Sequence, residues 1–175
     1  MTSDTTTARI VGLAKLAGID CDDVRLKQLK PGDPLGWTAE LVHKGKDVEN
    51  VDSELGLTTT QALERLQHVV DALARGRLKV LAAKATQARA KESEAWRACR
   101  TASQAATDAA LALNALDPTT APTEMIETRL YASRAASEAD RAAYARWKSL
   151  HRASDRASHD REQASDAYHA LRSRV

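Results

Sequence analysis

The stretch from Gln61 to Val175 is rich in alanine and almost free of glycine. It holds 30 Ala in 115 residues, and Gly76 is its single glycine. Alanine is the best helix former and glycine among the worst, so propensity alone predicts helix here. Two prolines within the segment Asp117 to Pro122 cannot continue a helix, so it must break there. The sequence therefore predicts two long helices joined by a turn near 117–123.

The first of these long helices is predicted to begin at a capping box. Thr58 stands at the N-cap and Gln61 three residues later, where their side chains satisfy otherwise unpaired N–H groups. Beyond Gly76 the apolar stripe resumes in a different phase, which predicts one helix serving two cores or a kink near Arg75–Arg77. The stripe comprises Leu63, Leu66, Val70 and Leu73, then Leu81, Ala85, Ala88, Ala95, Cys99, Ala102, Ala106, Ala109, Leu113 and Leu116.

The second long helix keeps a heptad spacing that predicts a seam with another helix. Its seam positions are Ala143, Trp147, Leu150, Ser154, Ala157, Arg161, Ala164, Tyr168, Leu171 and Val175. Because the predicted turn is short, the preceding helix is the expected antiparallel partner. With the turn centred near residue 120, we expect Trp96, Tyr144 and Trp147 to meet in interhelix packing.

Residues 1–57 have a different character, with six of the seven glycines and a net charge of −3. The spacing of the apolar residues from Ala8 to Ala17 predicts a short helix ended by Gly18. Alternation predicts strands at Val24–Lys30 and Trp37–His43, with a turn signal at Pro31–Pro34 between them. A turn at 44–46 and a more polar third strand at Asp47–Glu54 follow. The predicted fold class is α+β but mostly α, with a head at 1–75 and a helical arm at 76–175.

The order helix, three strands, helix over residues 5–74 resembles the double-stranded-RNA-binding domain. The segment Gly56-Leu57-Thr58-Thr59-Thr60-Gln61-Ala62 lies where that family has a glycine, a lysine-rich helix start and an alanine. The resemblance implies RNA binding, but the phosphate-gripping lysines are replaced here by three threonines and a glutamine. The alanine- and arginine-heavy composition is also similar to that of proteins from actinobacteria and their phages.

A run of basic residues offers a second route to nucleic acid. No acidic residue lies between Asp71 and Glu92. Arg77, Lys84 and Lys91 are seven residues apart, so they share one helix face along which phosphates could bind. The alternative is a solvated face whose charges pair with Asp155, Asp160 and Glu162. The candidate contact residues for nucleic acid or a protein partner are Arg75, Arg77, Lys79, Lys84, Arg89 and Lys91, with Lys44 and Lys46 in the head.

Catalytic and metal chemistry find little support in the sequence. His151, Asp155 and His159 stand four residues apart on one helix, but two turns are long for a single ion, and a solvated face is favoured. No phosphate loop, nucleophile elbow, HExxH or CxxC motif occurs. We therefore expect no catalytic residues, no metal and no cofactor.

The functional prediction is a non-enzymatic structural or protein-interaction protein, such as a phage or bacterial assembly component. Its arm would dock onto another protein or further copies of itself, while the alternative is a nucleic-acid-binding module. The net charge of +2 imposes no strong field, and two distant cysteines suit a reducing compartment. We expect no membrane and no small-molecule substrate, and a cytoplasmic location, with incorporation into a virion as the alternative.

Overall fold

The computed structural model describes residues 2–30, 36–49 and 51–173. The elements in chain order are α1 (Thr2–Ala17), β1 (Asp23–Gln28), β2 (Trp37–His43), β3 (Lys46–Asp47), β4 (Glu54–Gly56), α2 (Thr59–Asn114) and α3 (Thr123–Ser173). The predicted class, α+β and mostly α, is confirmed. The predicted turn at Pro31–Pro34 and the last seam residue, Val175, lie outside the described residues.

The chain divides into two compact units. The head unit comprises residues 1–82 and 160–175, and the hairpin unit comprises residues 83–159. The sequence prediction placed the boundary at residue 75 and assigned the whole of the last helix to the arm. The end of α3 instead belongs to the head unit, because Tyr168 is 6% exposed within the head core and Leu171 packs against that core.

In the head unit, α1 ends as predicted at Gly18. The Gly18 N–H donates to the Lys15 carbonyl and the Ile19 N–H to the Ala14 carbonyl, which is the Schellman arrangement. Gly18 has φ of 86°, a conformation that costs glycine little. A Cβ added at Gly12 would come within 2.7 Å of Leu171, so the small residue lets α3 lie close to α1.

The strands form one antiparallel sheet with β2 in the middle. β1 pairs with one edge of β2, while β3 and β4 both pair with the other edge. The single third strand predicted at Asp47–Glu54 is wrong. Seven positions separate these two residues, but only three separate their partners Val42 and Ala39 on β2, so the chain leaves the sheet edge between Val48 and Glu54. The Val48 N–H itself still donates to the Leu41 carbonyl of β2 at 3.0 Å. Val48 and Val51 both pack against the head core.

The start of α2 follows the capping prediction. The Thr58 hydroxyl accepts the Gln61 N–H at 3.2 Å, while the Gln61 side chain accepts the Leu57 N–H at 3.1 Å. In a capping box the Gln61 side chain would accept the N–H of the N-cap residue, Thr58. Here it accepts the N–H of Leu57, one residue upstream. The helix continues unbroken past Gly76 to Asn114.

The apolar stripe of α2 was misassigned at one position. Leu73 is 44% exposed, whereas Ala74 is fully buried and Leu78 packs against the head core. The buried stripe therefore runs through Ala74 and Leu78 by spacings of four before the heptad resumes at Leu81. An inserted four-residue spacing accounts for the change of phase near Gly76 without a break in the helix.

In the hairpin unit, α2 and α3 pack antiparallel, as predicted. The turn between them is stabilised by Asp117, whose carboxylate accepts the Thr119 N–H at 2.9 Å and the Thr119 hydroxyl at 2.6 Å. The Pro122 carbonyl accepts the Met125 and Ile126 N–H groups as α3 begins. The seam is narrow and alanine-rich, and its most buried members are Ala85, Ala95, Cys99 and Ser154.

Candidate interaction surface of the hairpin unit

Three aromatic residues of the hairpin unit form one cluster. The Trp147 ring lies 5.0 Å from the Trp96 ring and 5.5 Å from the Tyr144 ring, between centroids. Trp147 also stacks on the His151 imidazole at 5.4 Å with an interplanar angle of 14°. Trp96 from α2 thus contacts Trp147 from α3, which in turn contacts Tyr144, so the three residues expected to pack together belong to one cluster.

Much of this cluster faces solvent. Trp96 is 45% exposed and Tyr144 is 50% exposed, while Trp147 beneath them is half-buried. Offset and tilted ring contacts of this kind fix the positions of the two outer rings. The cluster therefore offers solvent a rigid aromatic surface, which a fully buried plug would not.

Beside the aromatic cluster the seam contains a polar layer. Glu92 on α2 lies 2.7 Å from the His151 Nδ1, and Ser154, 2% exposed, is its other partner on α3. Hydrogen bonds from Ser154 and then His151 lower the pKa of the Glu92 carboxyl, against the opposing effect of burial. The hydrogen bonds of this layer therefore favour the ionised carboxylate of Glu92 over its protonated form.

Glu92 is a seam residue that the apolar pattern of α2 does not reveal. It lies four residues after Ala88 and three before Ala95, so the heptad itself identifies the position. Position 92 was left out of the predicted stripe because that stripe included apolar residues only, and Glu92 is charged. Its partner Ser154 was placed on the seam by the same spacing in α3.

The basic residues that the sequence singled out lie in both units. In the head unit, the Arg75 Nε lies 3.2 Å from the Asp71 carboxylate, and Arg77 and Lys79 are exposed. In the hairpin unit, the side chains of Lys84, Arg89 and Lys91 are exposed. Among residues 2–30, 36–49 and 51–173, no carboxylate lies within 4.0 Å of the exposed basic groups of Arg77, Lys79, Lys84, Arg89 and Lys91. The expected pairs with Asp155, Asp160 and Glu162 are thus not found in that part of the chain.

The two lysines of the β2–β3 turn have acidic neighbours. Lys44, with φ of 49°, donates its N–H to the Asp22 carboxylate at 2.9 Å. Lys46 is exposed and precedes Asp47, which pairs with Arg25 at 3.0 Å. Carboxylates beside the turn repel a phosphate, so this surface is poorly suited to grip one.

Of the two histidines singled out on α3, His151 is in contact with neighbouring carboxylates. The His151 Nδ1 contacts Glu92, and its Nε2 lies 3.6 Å from Asp155. In the described part of the chain, no group of three or more His, Cys, Asp or Glu side chains is arranged to hold a metal ion. Within the same residues, no helix combines the length and apolar character needed to cross a membrane.

No protein-family model matches the chain, and neither a curated protein nor a solved structure matches it.

Proposed function

We propose that this chain is a non-enzymatic structural or protein-interaction protein whose hairpin unit docks onto another polypeptide. The observation that carries the proposal is the half-exposed pair Trp96 and Tyr144, held in place by Trp147. Only 3% of residues in this chain are aromatic, so two on one exposed surface are a large share. Aromatic residues are enriched where proteins contact one another and contribute a large part of the binding energy there.

The seam gives a second reason for a partner. Its alanines allow the two helices to approach closely, but each buries little apolar area, and burial contributes about 25 cal/mol per Å². A docked partner would cover the exposed apolar residues of the hairpin and stabilise it further. We place the protein in the cytoplasm, because Cys21 and Cys99 are both free and buried. An assembly component, in bacteria or their phages, is the setting that fits the composition.

Replacement of both aromatic residues tests the proposal. The double variant Trp96→Ser, Tyr144→Ser should keep its helices and lose the complex that the wild type forms, with a second copy or with a different protein that it captures, as measured by the sedimented mass. Val80→Ser is the matched control, because Val80 is 46% exposed on α2 but lies outside the hairpin unit. If the double variant associates as the wild type does, the aromatic surface is not the docking site and the proposal fails.

Nucleic-acid binding is the second candidate function. It is favoured by the exposed basic side chains that have no carboxylate within 4.0 Å among the described residues. One of them, Arg89, lies one heptad from Trp96. Bases can stack on exposed aromatic rings while basic residues contact phosphates. The acidic surroundings of Lys44 and Lys46 oppose it, since these carboxylates would repel a phosphate from the lysines of the head unit.

Salt dependence separates the two functions. On the interaction hypothesis, affinity for labelled duplex RNA or single-stranded DNA stays in the non-specific range of about 10⁻⁴–10⁻⁶ M at physiological salt. Tighter binding that falls steeply with salt would support the second function. Replacing Arg77, Lys84 and Lys91 with Gln should then flatten the slope of log K against log salt by about two to three.

A further inference from the structure

The charges of the hairpin unit are segregated along its length. Residues 83–100 of α2 lie opposite residues 141–159 of α3, and together they form the basic half, with ten basic and three acidic side chains. The acidic half, residues 101–140, has two basic and six acidic side chains. Their net charges are therefore +7 and −4, although the whole chain has a net charge of only +2.

Both halves also expose large apolar side chains. On the basic half these are Trp96 and Tyr144, and on the acidic half they are Leu111, Met125, Leu130 and Tyr131. Leu130 lies fourteen residues before Tyr144, which is two heptads, so the two share a face of α3. Each half thus has exposed apolar side chains on this face of α3.

We propose that the hairpin unit binds a second copy of this chain in antiparallel orientation, with the acidic half of each copy on the basic half of the other. This inference rests on the proposed function and names its partner. The pairing has two-fold symmetry, so every contact between the halves occurs twice and the assembly closes as a dimer. The aromatic pair Trp96 and Tyr144 would lie against the apolar residues of the other copy's acidic half.

Charge decides the orientation. A parallel pairing would bring the two basic halves together and the two acidic halves together, whereas the antiparallel pairing opposes unlike charges. Opposing surfaces in a dimer lie within the Debye length of about 8 Å at physiological ionic strength, so these interactions are only partly screened. Like-charge contacts across an interface suppress the wrong arrangement.

Charge also favours a second copy over nucleic acid. A polyanion could contact the basic half but would be repelled by the acidic half, where Leu130 is 37% exposed and Tyr131 is 78% exposed. Those apolar residues would then stay uncovered. A second copy provides charge complementarity and apolar contact to both halves at once.

Charge reversal in two complementary variants tests the pairing. The acid-reversed variant carries Glu124→Lys, Glu127→Lys and Glu138→Lys, which changes the acidic half from −4 to +2. The base-reversed variant changes the basic half from +7 to −1 by four substitutions, Arg89→Glu, Arg100→Glu, Arg141→Glu and Lys148→Glu. All seven positions are exposed, so the hairpin should keep its fold. Each variant alone should sediment as a single chain, and an equimolar mixture should restore the dimer.

A matched control separates surface pairing from net charge. Glu49→Lys, Asp52→Lys and Glu64→Lys alter the net charge of the chain as the acid-reversed variant does, but these exposed residues lie in the head unit. This control should remain a dimer. Circular dichroism checks that each variant keeps its helices, and a salt titration of the wild type provides a test that needs no substitution.

Three results would overturn the inference. A wild type that sediments as one chain but captures a different protein through Trp96 would leave the proposed function standing and exclude self-pairing. Two folded variants that stay monomeric when mixed, beside a dimeric wild type, would exclude the antiparallel arrangement. A monomeric wild type that binds single-stranded DNA tightly would overturn both the self-pairing and the proposed function.

Discussion

Glu92 is a charged residue in a seam whose most buried members are the small side chains of Ala85, Ala95, Cys99 and Ser154. It is tolerated because Ser154 and His151 supply hydrogen bonds that replace part of its lost hydration. A polar group at one seam position fixes the register of paired helices, since any slip leaves it without partners. In this hairpin the layer holds Trp147, which stacks on His151, at the level of Trp96.

The ionised carboxylate of Glu92 should make the hairpin sensitive to acid. Because folding lowers its pKa, its contribution is fully present above the unfolded value of about 4.3 and is lost as the pH falls through the folded value. Glu92→Gln keeps the acceptor oxygen but has no charge to lose. The urea midpoint of the wild type should therefore exceed that of Glu92→Gln at about pH 7 and approach it at about pH 3. An equal difference at both pH values would contradict this role.

The aromatic cluster predicts a definite order of substitution effects. Removal of a buried tryptophan side chain costs about 3–5 kcal/mol, and Trp147, in contact with Trp96, Tyr144 and His151, should approach that range on substitution by Ala. Trp96→Ala should cost about 1–2 kcal/mol, because nearly half of the side chain is already hydrated. Urea unfolding measures both. A larger cost for Trp96 than for Trp147 would mean that Trp96 is buried in solution.

Among the elements, those with strong local signals were predictable from the sequence. The two prolines placed the break between α2 and α3, and Gly18 placed the end of α1. The replacement of the predicted third strand by two short strands, β3 and β4, was not predictable. It depends on which residues of β2 each of them pairs with, which is a tertiary property. The chain leaves the sheet edge after Val48, and Val51 packs against the head core, a tertiary preference that outweighs strand propensity.

The last turns of α3 are predicted to stabilise the head unit. The Tyr168 side chain lies in the head core, and its hydroxyl donates to the Asp71 carboxylate at 2.9 Å. Tyr168→Ala should cost about 3 kcal/mol and speed hydrogen exchange at the amides of Ile10 and Leu13, which share that core. Asp166→Ala is the control, since Asp166 is exposed on the same helix. Unchanged exchange in α1 would show that the end of α3 does not support the head.

At the scale of the whole molecule, the net charge of +2 conceals the segregation in the hairpin unit. The separation of +7 from −4 becomes visible only when residues 83–100 are set opposite residues 141–159, which needs the position of the turn. The position of that same turn predicts that Trp96, Tyr144 and Trp147 lie together. It could not predict that Trp96 and Tyr144 stay exposed, because exposure depends on how the rings tilt across a seam of small residues.

The central claim is that two copies of the hairpin unit pair in antiparallel orientation. The mass of the wild-type protein as a function of salt tests it most directly. At about 100 µM, well above a micromolar dissociation constant, sedimentation equilibrium should give twice the chain mass of 19.0 kDa at physiological salt. The average mass should fall towards that of one chain at about 1 M salt, where the Debye length is only about 3 Å. A mass of 19.0 kDa under both conditions would contradict the account.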